Sequence, residues 1–535
     1  MLKMGVFAII KFTNLLKILQ SNTIMKNSYM KKAGLAVLMG LASQFTADAQ
    51  FTLTGTMRTR TEIRNGLGNL VKTGSDAAVF TSQRTRLNFG YKWDRVVFGA
   101  AIQDVRVWGQ DASTITPADG AKLMLHEGWA DITLANKADT TIKFKVVDLL
   151  SIKIGRQELI YDDVRLIGNL DWLQQGRRHD MVLLKGMHRG WQFDIGAAFN
   201  QNTDAFGYTG TAYAPANTPQ YMANSKGVLV AVPAGTIPNG AVFTSNPGTN
   251  AATQDYKSFK SVYISRKFKQ TKFSGLFFND DFGKYKNDTL SGTLSTGYLY
   301  GKNFNGQTGT NSRYTYGLMV NHTMGNASGF GKIAFQGAYY AQTGKDRDGK
   351  DMNAYHYTLS ATYQKGNWSF TPGYDVLSGN ETTTAATDNN RFDPLYGTPH
   401  KHWGYMDYFY VGTGSPVGGL NNGYFKVKYA TNTLQAGVDF HTFALNQDMK
   451  KADGTVIDKQ LGTEIDLLLN YQMNKFTNLE LGYSIMKATD SMPFAKGQAT
   501  ADAVANTYDK TGTWAYLMVK ITPDFFYAKP VAIKN

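Results

Sequence analysis

Paired arginines at alternate positions are the residues of this sequence best suited to chemistry. Arg58 and Arg60 are separated by one residue, and Arg84 and Arg86 repeat that spacing about 25 residues later. Side chains two apart in a β-strand point to the same face, so neighbouring strands would align these four guanidinium groups as a ladder. Arginine binds carboxylates through two parallel hydrogen bonds, and rings of cationic side chains select anions in pores. The spacing therefore indicates an anion-handling surface or a set of wall-bracing ion pairs.

Other charged residues in the first third of the chain fit both interpretations. Twelve of the 16 arginines precede residue 191. Arg106 and Arg156 are predicted to share the face of the ladder, and Arg177 and Arg178 to narrow a lumen. Like charges on adjacent strands repel unless acids or an anionic solute lie between them. The candidate counter-charges are Glu62, Asp104, Glu127, Asp131 and Glu158.

The elements that position these residues are predicted to be strands almost throughout. Apolar and polar residues alternate in about 18 segments between residues 51 and 522, as in Phe51-Thr52-Leu53-Thr54. Tight turns and long polar connections follow one another along the chain, the long ones including 202–255, 280–312 and 379–421. A soluble sandwich would have shorter strands and less regular connections. The pattern predicts an all-β fold, a transmembrane antiparallel up-and-down β-barrel of about 18 strands in the bacterial outer membrane.

Local features refine this barrel. Aromatic pairs near strand ends, including Tyr339-Tyr340 and Trp514 with Tyr516, are interpreted as girdles at the membrane surface. A phase slip after Gln103-Asp104 predicts a β-bulge. Residues 158–179 are too charged to face lipid and too patterned for a free loop. They are predicted to pack into the barrel mouth or lumen, with an ordered external loop as the alternative.

The N-terminus is typical of an exported protein. Lys31 and Lys32 precede a short apolar stretch, and Ala47-Asp48-Ala49 resembles a signal-peptidase site. Residues 1–49 are therefore predicted to be a signal peptide, with 1–24 a mis-assigned start, and 50–535 a single barrel with long extracellular loops. The chain has no cysteine, which excludes disulfides, thiolate metal sites and a cysteine nucleophile.

Residues 51–200 resemble the alginate-export family of outer-membrane proteins. The resemblance rests on the two arginine pairs, on Gln103-Asp104-Val105-Arg106 and on the stretches 155–166 and 171–180. It implies an 18-stranded monomeric barrel whose Arg/Lys-lined constriction passes anionic polysaccharide.

Other motifs carry weaker hypotheses. Asp346, Asp348 and Asp351 lie around a glycine turn in a pattern that could suit calcium, but Asp-Gly hairpin chemistry explains it more simply, so no metal site is predicted. His400 and His402 are a weak metal pair. An enzyme would need a constellation such as His356, His441, Ser360 and Asp439, and no motif supports it, so the protein is predicted not to be an enzyme and to need no cofactor.

The sequence favours an outer-membrane channel, in contact with outer-membrane lipid, for anionic solutes such as polyuronate-type oligo- or polysaccharide or small carboxylates. The alternative is a structural or adhesin-like barrel that acts through loops 202–255 and 379–421. The excess of 56 basic over 41 acidic residues is attributed to the lumen rather than to nucleic-acid binding.

Overall fold

The structure, a computed structural model, describes residues 50–110, 123–139, 141–142, 144, 146–201, 220–223, 229–231, 255–293, 297–304, 306–327, 329–381, 388–411 and 416–526. The predicted signal peptide and most of loop 202–255 lie outside the described residues. The chain divides into two compact units. In the first, the described residues are 50–51 and 91–94, which belong to two strands and a turn. The second, residues 52–90 and 95–535, contains the barrel.

The main sheet has 19 strands. One of them has only two residues, 388–389, and pairs with residues 351–352 without being part of the barrel wall, so the wall has 18 strands. The wall strands are β1 (Gln50–Asn65), β2 (Ala78–Trp93), β3 (Val96–Val107), β4 (Met124–Asn136), β5 (Leu149–Gln157), β6 (His179–His188), β7 (Trp191–Phe199), β10 (Ser258–Phe268), β11 (Thr271–Gly283), β14 (Thr310–Asn326), β15 (Gly331–Lys345), β16 (Asp351–Lys365), β17 (Trp368–Leu377), β19 (Leu420–Ala430), β20 (Leu434–Ala444), β21 (Gln460–Asn474), β22 (Thr477–Ala488) and β23 (Thr511–Ile521).

The remaining elements are short. A separate four-stranded sheet contains β8 (Gln220–Ala223), β9 (Leu229–Ala231), β12 (Lys286–Thr293) and β13 (Gly297–Asn303), and β18 is Asp388–Asn389. The helices are α1 (Met492–Ala495), α2 (Asp502–Ala505) and a 3-10 turn at Pro399–Lys401. No helix in the described part of the chain has the length and hydropathy needed to cross a membrane.

The sheet closes on itself. β1 pairs antiparallel with β23, from Met57 opposite Ile521 to Asn65 opposite Thr513. Closure matters because a free sheet edge in lipid would leave backbone groups without hydrogen-bond partners. Two-residue turns at 189–190, 269–270, 366–367 and 475–476 lie at one end, and longer connections lie at the other. The predicted 18-stranded up-and-down barrel is confirmed.

Exposure alternates along the wall strands. On β23, Leu517 is 48% exposed, whereas its neighbours Tyr516 and Met518 are buried. Leu318 and Leu359 project outward in the same way, at 67% and 62% exposure. Outward leucine, phenylalanine and isoleucine form the apolar band that a transmembrane barrel presents to lipid.

Three of the aromatics interpreted as girdle residues face the interior instead. Tyr340, Trp514 and Tyr516 are 3%, 1% and 4% exposed. Consecutive side chains in a strand point to opposite faces, so Tyr340 must face inward when Tyr339 faces outward. The girdle prediction was wrong for these three residues because sequence clustering ignores that alternation.

The strand irregularity lies close to its predicted place but on the other strand. Ala101 is opposite Glu127 and Ile102 is opposite Leu125, so the additional residue is His126 in β4 rather than a residue of β3. His126 is fully buried, and its Nε2 lies 2.9 Å from a Glu158 carboxylate oxygen. The bulge therefore carries a polar side chain into the lumen.

The hydrophobic core lies inside the barrel, where two connections fold inward. Segment A comprises residues 158–178, between β5 and β6, and segment B comprises residues 390–411, between β17 and β19. Trp403 and Phe409 of segment B are each 1% exposed, and Phe409 packs on wall residue Phe443 with ring centroids 4.6 Å apart. Segment A agrees with its interpretation as a luminal loop. Segment B corrects the expectation that 379–421 is an external polar loop.

Candidate functional site

The first arginine of each pair, Arg58 on β1 and Arg84 on β2, binds segment A. Arg58 and Arg84 are 3% and 2% exposed and share the Asp171 carboxylate, at 3.4 and 2.7 Å. Arg58 also donates to the Gln174 side chain and to the backbone carbonyl oxygens of Asp171, Trp172 and Leu173. Burial alone would raise the pKa of Asp171, but Arg84 and then Arg58 outweigh it and hold the pKa below its ordinary value. Asp171 is therefore ionised at neutral pH.

The second member of each pair has different partners. Arg60 pairs with Glu62 at 2.8 Å, donates to the Trp172 carbonyl oxygen and lies over the Trp172 ring at 4.3 Å. Glu62 also accepts from Arg64 and from Trp514 Nε1. Arg86 donates to Gln103 and lies 3.6 Å from Glu158. The ladder forms on the inner wall, and segment A contacts it along its length.

The other predicted charges lie outside this cluster. Arg106 pairs with Asp104 at 2.6 Å, and Arg156 pairs with Asp180 through two bonds of 2.8 Å, both near exposed strand ends. Asp131 pairs with Lys185 at 2.8 Å. Glu127 accepts from Trp129 and from the backbone of Glu158. These residues brace the wall beside the ladder.

Arg177 joins the two inserted segments. It is 1% exposed and donates to the carbonyl oxygens of Gly397 in segment B and Gly168 in segment A. Burial lowers the pKa of Arg177 to about 10, so it stays cationic at neutral pH. Arg178 is half-buried, and burial followed by Arg156 lowers its pKa. Arg177 therefore links segment A to segment B and is not an exposed charge in the pore.

Backbone pairing completes the contact between the segments. Tyr396 accepts from Gly168 and donates to Leu166, and Thr398 donates to Val164, at 2.8 to 3.0 Å. A Cβ on Gly397 would lie 1.9 Å from the Arg165 carbonyl oxygen, so only glycine allows this approach.

Buried ion pairs attach both segments to the far wall. Arg165 of segment A lies 2.9 Å from Asp375 on β17 and 3.2 Å from Asp163. Arg313 on β14 pairs with Asp280 and reaches Asp393 of segment B at 2.8 Å. Sequence reasoning missed these pairs because both involve acids outside the arginine-rich third. The sequence did offer one indication of a buried ion pair on this side, because Arg313 occupies a position of its strand that faces the interior.

A vestibule of about 630 Å³ lies below the segments, at the end of the barrel with the two-residue turns. Its roof includes Trp172, His400 and Tyr405, in which Trp172 stacks on His400 and His400 on Tyr405. Its wall is formed by strand residues of β20 to β23. The charged lining residues are Arg58, Lys401, Lys475, Lys520, Asp171 and Glu480.

The aspartates considered as calcium ligands have other partners. Asp346 accepts from backbone amides of its own turn, Asp348 pairs with Lys302 and Asp351 with Lys345. Among the described residues no three His, Cys, Asp or Glu side chains converge to hold a metal ion. The three carboxylates of the candidate calcium pattern therefore have three different partners.

The histidines have structural contacts. His400 bonds to Asp407, and the His402 ring lies 3.1 Å from the Asp163 carbonyl oxygen, so the two do not form a metal pair. His356 contacts the Val376 carbonyl oxygen and His441 contacts Asn422. Asp439 pairs with Lys426, so none of these contacts joins two members of the constellation that an enzyme would need.

A half-buried lysine gives segment B a pH-dependent contact. Lys496, beside α1, donates to the Tyr408 carbonyl oxygen, and burial followed by Arg391 lowers its pKa to about 7. The folded-state pKa is below the unfolded value, so the contribution of Lys496 to stability falls as pH falls from about 10 to 7 and is least favourable when Lys496 is charged. We expect Lys496→Met to raise the melting temperature in detergent more at pH 6 than at pH 9, because the variant removes a charge that is buried only at the lower pH. An unchanged pH profile in the variant would contradict the assignment.

Comparison with known proteins agrees with this architecture. Residues 49–199, which contain β1 to β7, match the sequence model of the alginate export family, as the resemblance predicted. No curated protein matches the chain.

Solved structures of outer-membrane proteins share its fold at low identity. OccAB1 of Acinetobacter baumannii is 12% identical, with 89% of this chain and 97% of that chain covered and a TM-score of 0.52. The outer membrane protein opdK of Pseudomonas aeruginosa is 9% identical, with 89% and 99% covered and a TM-score of 0.50. OprD of Pseudomonas aeruginosa is 11% identical, with 89% and 94% covered and a TM-score of 0.50. The closed barrel and its apolar exterior identify a β-barrel of the bacterial outer membrane, as predicted, and these solved structures share its fold.

Proposed function

We propose that this barrel is a channel for small anionic solutes, including short polyuronate-type oligosaccharides, and that it works as a monomer. The observation that carries the proposal is the charge of the vestibule. Four cationic side chains, Arg58, Lys401, Lys475 and Lys520, face two anionic ones, Asp171 and Glu480, an excess of two positive charges. Walls with one sign of charge concentrate counter-ions and favour their entry.

Segments A and B supply the size limit. They cross the lumen between the arginine ladder and the Arg165–Asp375 and Arg313–Asp393 pairs. A wide barrel of 16 to 18 strands leaves an aqueous channel unless connections fill it. The two segments occupy lumen that a long polymer would need, so a small carboxylate or a short oligosaccharide is the better-suited solute.

Single-channel recording in planar bilayers tests the proposal. In a KCl gradient, the wild-type reversal potential is expected to have the sign of chloride selectivity, because the lysines at the vestibule attract anions. Neutralising Lys475 and Lys520 to glutamine together should reduce the chloride preference severalfold. Lys365→Gln, at a turn outside the vestibule, is the matched control and should change nothing. Cation selectivity of the wild type would overturn the proposal.

A further inference from the structure

We propose that the vestibule binds a small polyhydroxylated solute, a sugar or sugar acid, and recognises its hydroxyl groups rather than its charge. The inference rests on the proposed channel function and names a solute class for it. The cavity, about 630 Å³, falls within the roughly 300–1,000 Å³ typical of small-molecule sites.

An array of amide side chains forms one wall of this cavity. Asn470 on β21 and Asn478 on β22 exchange hydrogen bonds of 3.2 and 2.7 Å, and Asn478 also donates to Gln472 at 3.4 Å. Gln435 on β20, directly opposite Asn470, extends the array. The N–H groups of Asn470 and Asn478 are used within this wall, so these two residues present the second lone pair of each carbonyl oxygen, and the Gln435 amide adds donors and an acceptor. Adjacent hydroxyls on a sugar ring also donate and accept, and they complement such a surface.

Glu480 adds acceptors to the same wall. Its carboxylate receives Asn470 Nδ2 and the Tyr516 hydroxyl, each at 2.9 Å. An ionised carboxylate has about four acceptor positions, which leaves about two for donors from a solute. This carboxylate can accept hydrogen bonds from the hydroxyl groups of a sugar, which an acetate ion does not have. An apolar solute would leave these polar groups without water or partners, at about 1–3 kcal/mol each.

The roof supplies an apolar ring surface. Tyr405 is half-buried, lines the cavity and stacks on His400 with ring centroids 5.0 Å apart. A ring held in this way loses little conformational entropy when a solute packs on it, and the C–H face of a sugar ring is apolar. Lys475 and Lys520 at the rim then add attraction for a sugar acid without being required for a neutral sugar.

Titration calorimetry of the full chain in detergent micelles tests this inference, with D-glucose, sodium D-glucuronate and sodium acetate as probes. Saturable heats are expected for both sugars and none for acetate at the same concentration. Asn478→Leu should weaken sugar binding about tenfold, which corresponds to one or two lost hydrogen bonds. Gln435→Leu is the second variant, should the first fail to fold as judged by heat-modifiable gel mobility.

The matched control is Asn446→Leu, which lies beyond the opposite end of β20 and outside the cavity and should bind as the wild type does. Acetate binding without glucose binding, or unchanged sugar affinity in both folded variants, overturns the inference. Reversal potentials separate it from the proposed function: anion selectivity without sugar binding defeats the inference alone, and sugar binding in a cation-selective channel defeats the proposed function alone.

Discussion

Arg165→Met is expected to release segment A from the barrel wall and to raise the single-channel conductance severalfold. Arg165 is 4% exposed and Asp375, its partner at 2.9 Å, is fully buried. Removing one partner of a buried ion pair leaves an uncompensated charge and costs about 3–5 kcal/mol. Strand pairing holds the barrel together independently of this ion pair. We therefore expect segment A to move away from the wall while the barrel stays folded.

Conductance histograms and limited proteolysis of segment A are the measurements. Arg156→Met is the matched control, because the Arg156–Asp180 pair is partly exposed and such pairs contribute about 0–1 kcal/mol. The double variant Arg165→Met with Asp375→Leu should restore wild-type conductance in part, since no buried charge remains unpaired. Equal conductance in Arg165→Met and the wild type would contradict the assignment of this pair as the anchor.

The wall of the barrel could be predicted from the sequence because period-two alternation is local information. Lipid outside and water or polar contacts inside impose that period on every strand. The bulge shows the limit of this reasoning. A phase slip near Gln103 reveals that the register changes, but not that the additional residue, His126, lies on the neighbouring strand.

The interior was predicted less well, since its contacts join residues far apart in the chain. Strand adjacency suggested Glu62 and Glu158 as counter-charges, and both do contact arginines. Asp171 was not identified as the ion that bridges Arg58 and Arg84, because its position depends on how segment A folds back. Nothing local to residues 158–178 specifies that path.

Segment B was missed for a different reason. The connection 379–421, which contains segment B, has the glycine, proline and asparagine content of an external loop. The run from Trp403 to Tyr410 contains six large apolar or aromatic residues, which a solvent-exposed loop would not retain at such density. A Cβ on Gly404 would lie 2.5 Å from a Glu464 oxygen, which is the close approach that places this run against the wall. Aromatic density within a polar loop is therefore the signal that could have identified it.

Asp171→Asn is expected to increase the chloride-to-potassium permeability ratio about fivefold, which corresponds to the roughly 1 kcal/mol between unit charges about 4 Å apart in a water-like environment. Asp171 lines the vestibule, its side chain is 40% exposed, and it neutralises part of the charge of Arg58 and Arg84. Asparagine has the same shape and keeps an acceptor for Arg84 at the position now 2.7 Å away. Arg58 also keeps its bonds to the Gln174 side chain and to three backbone carbonyl oxygens of segment A, so the segment should remain in place and the change should appear in selectivity with little effect on conductance.

The reversal potential distinguishes this local charge effect from a loosened segment. Arg84 and Arg58 hold the pKa of Asp171 below its ordinary value, so Asp171 should stay ionised from pH 8 down to pH 5. The chloride-to-potassium permeability ratio of the wild type should therefore stay constant over this range and should not rise towards that of the variant. Asp180→Asn removes an acid of the same type that pairs with Arg156 outside the vestibule, and it should leave the ratio unchanged. Equal effects of the two substitutions would show that selectivity follows total charge. A larger effect of Asp171→Asn assigns it to the arginine pair, where the chain's own carboxylate occupies the position that a permeating anion would use.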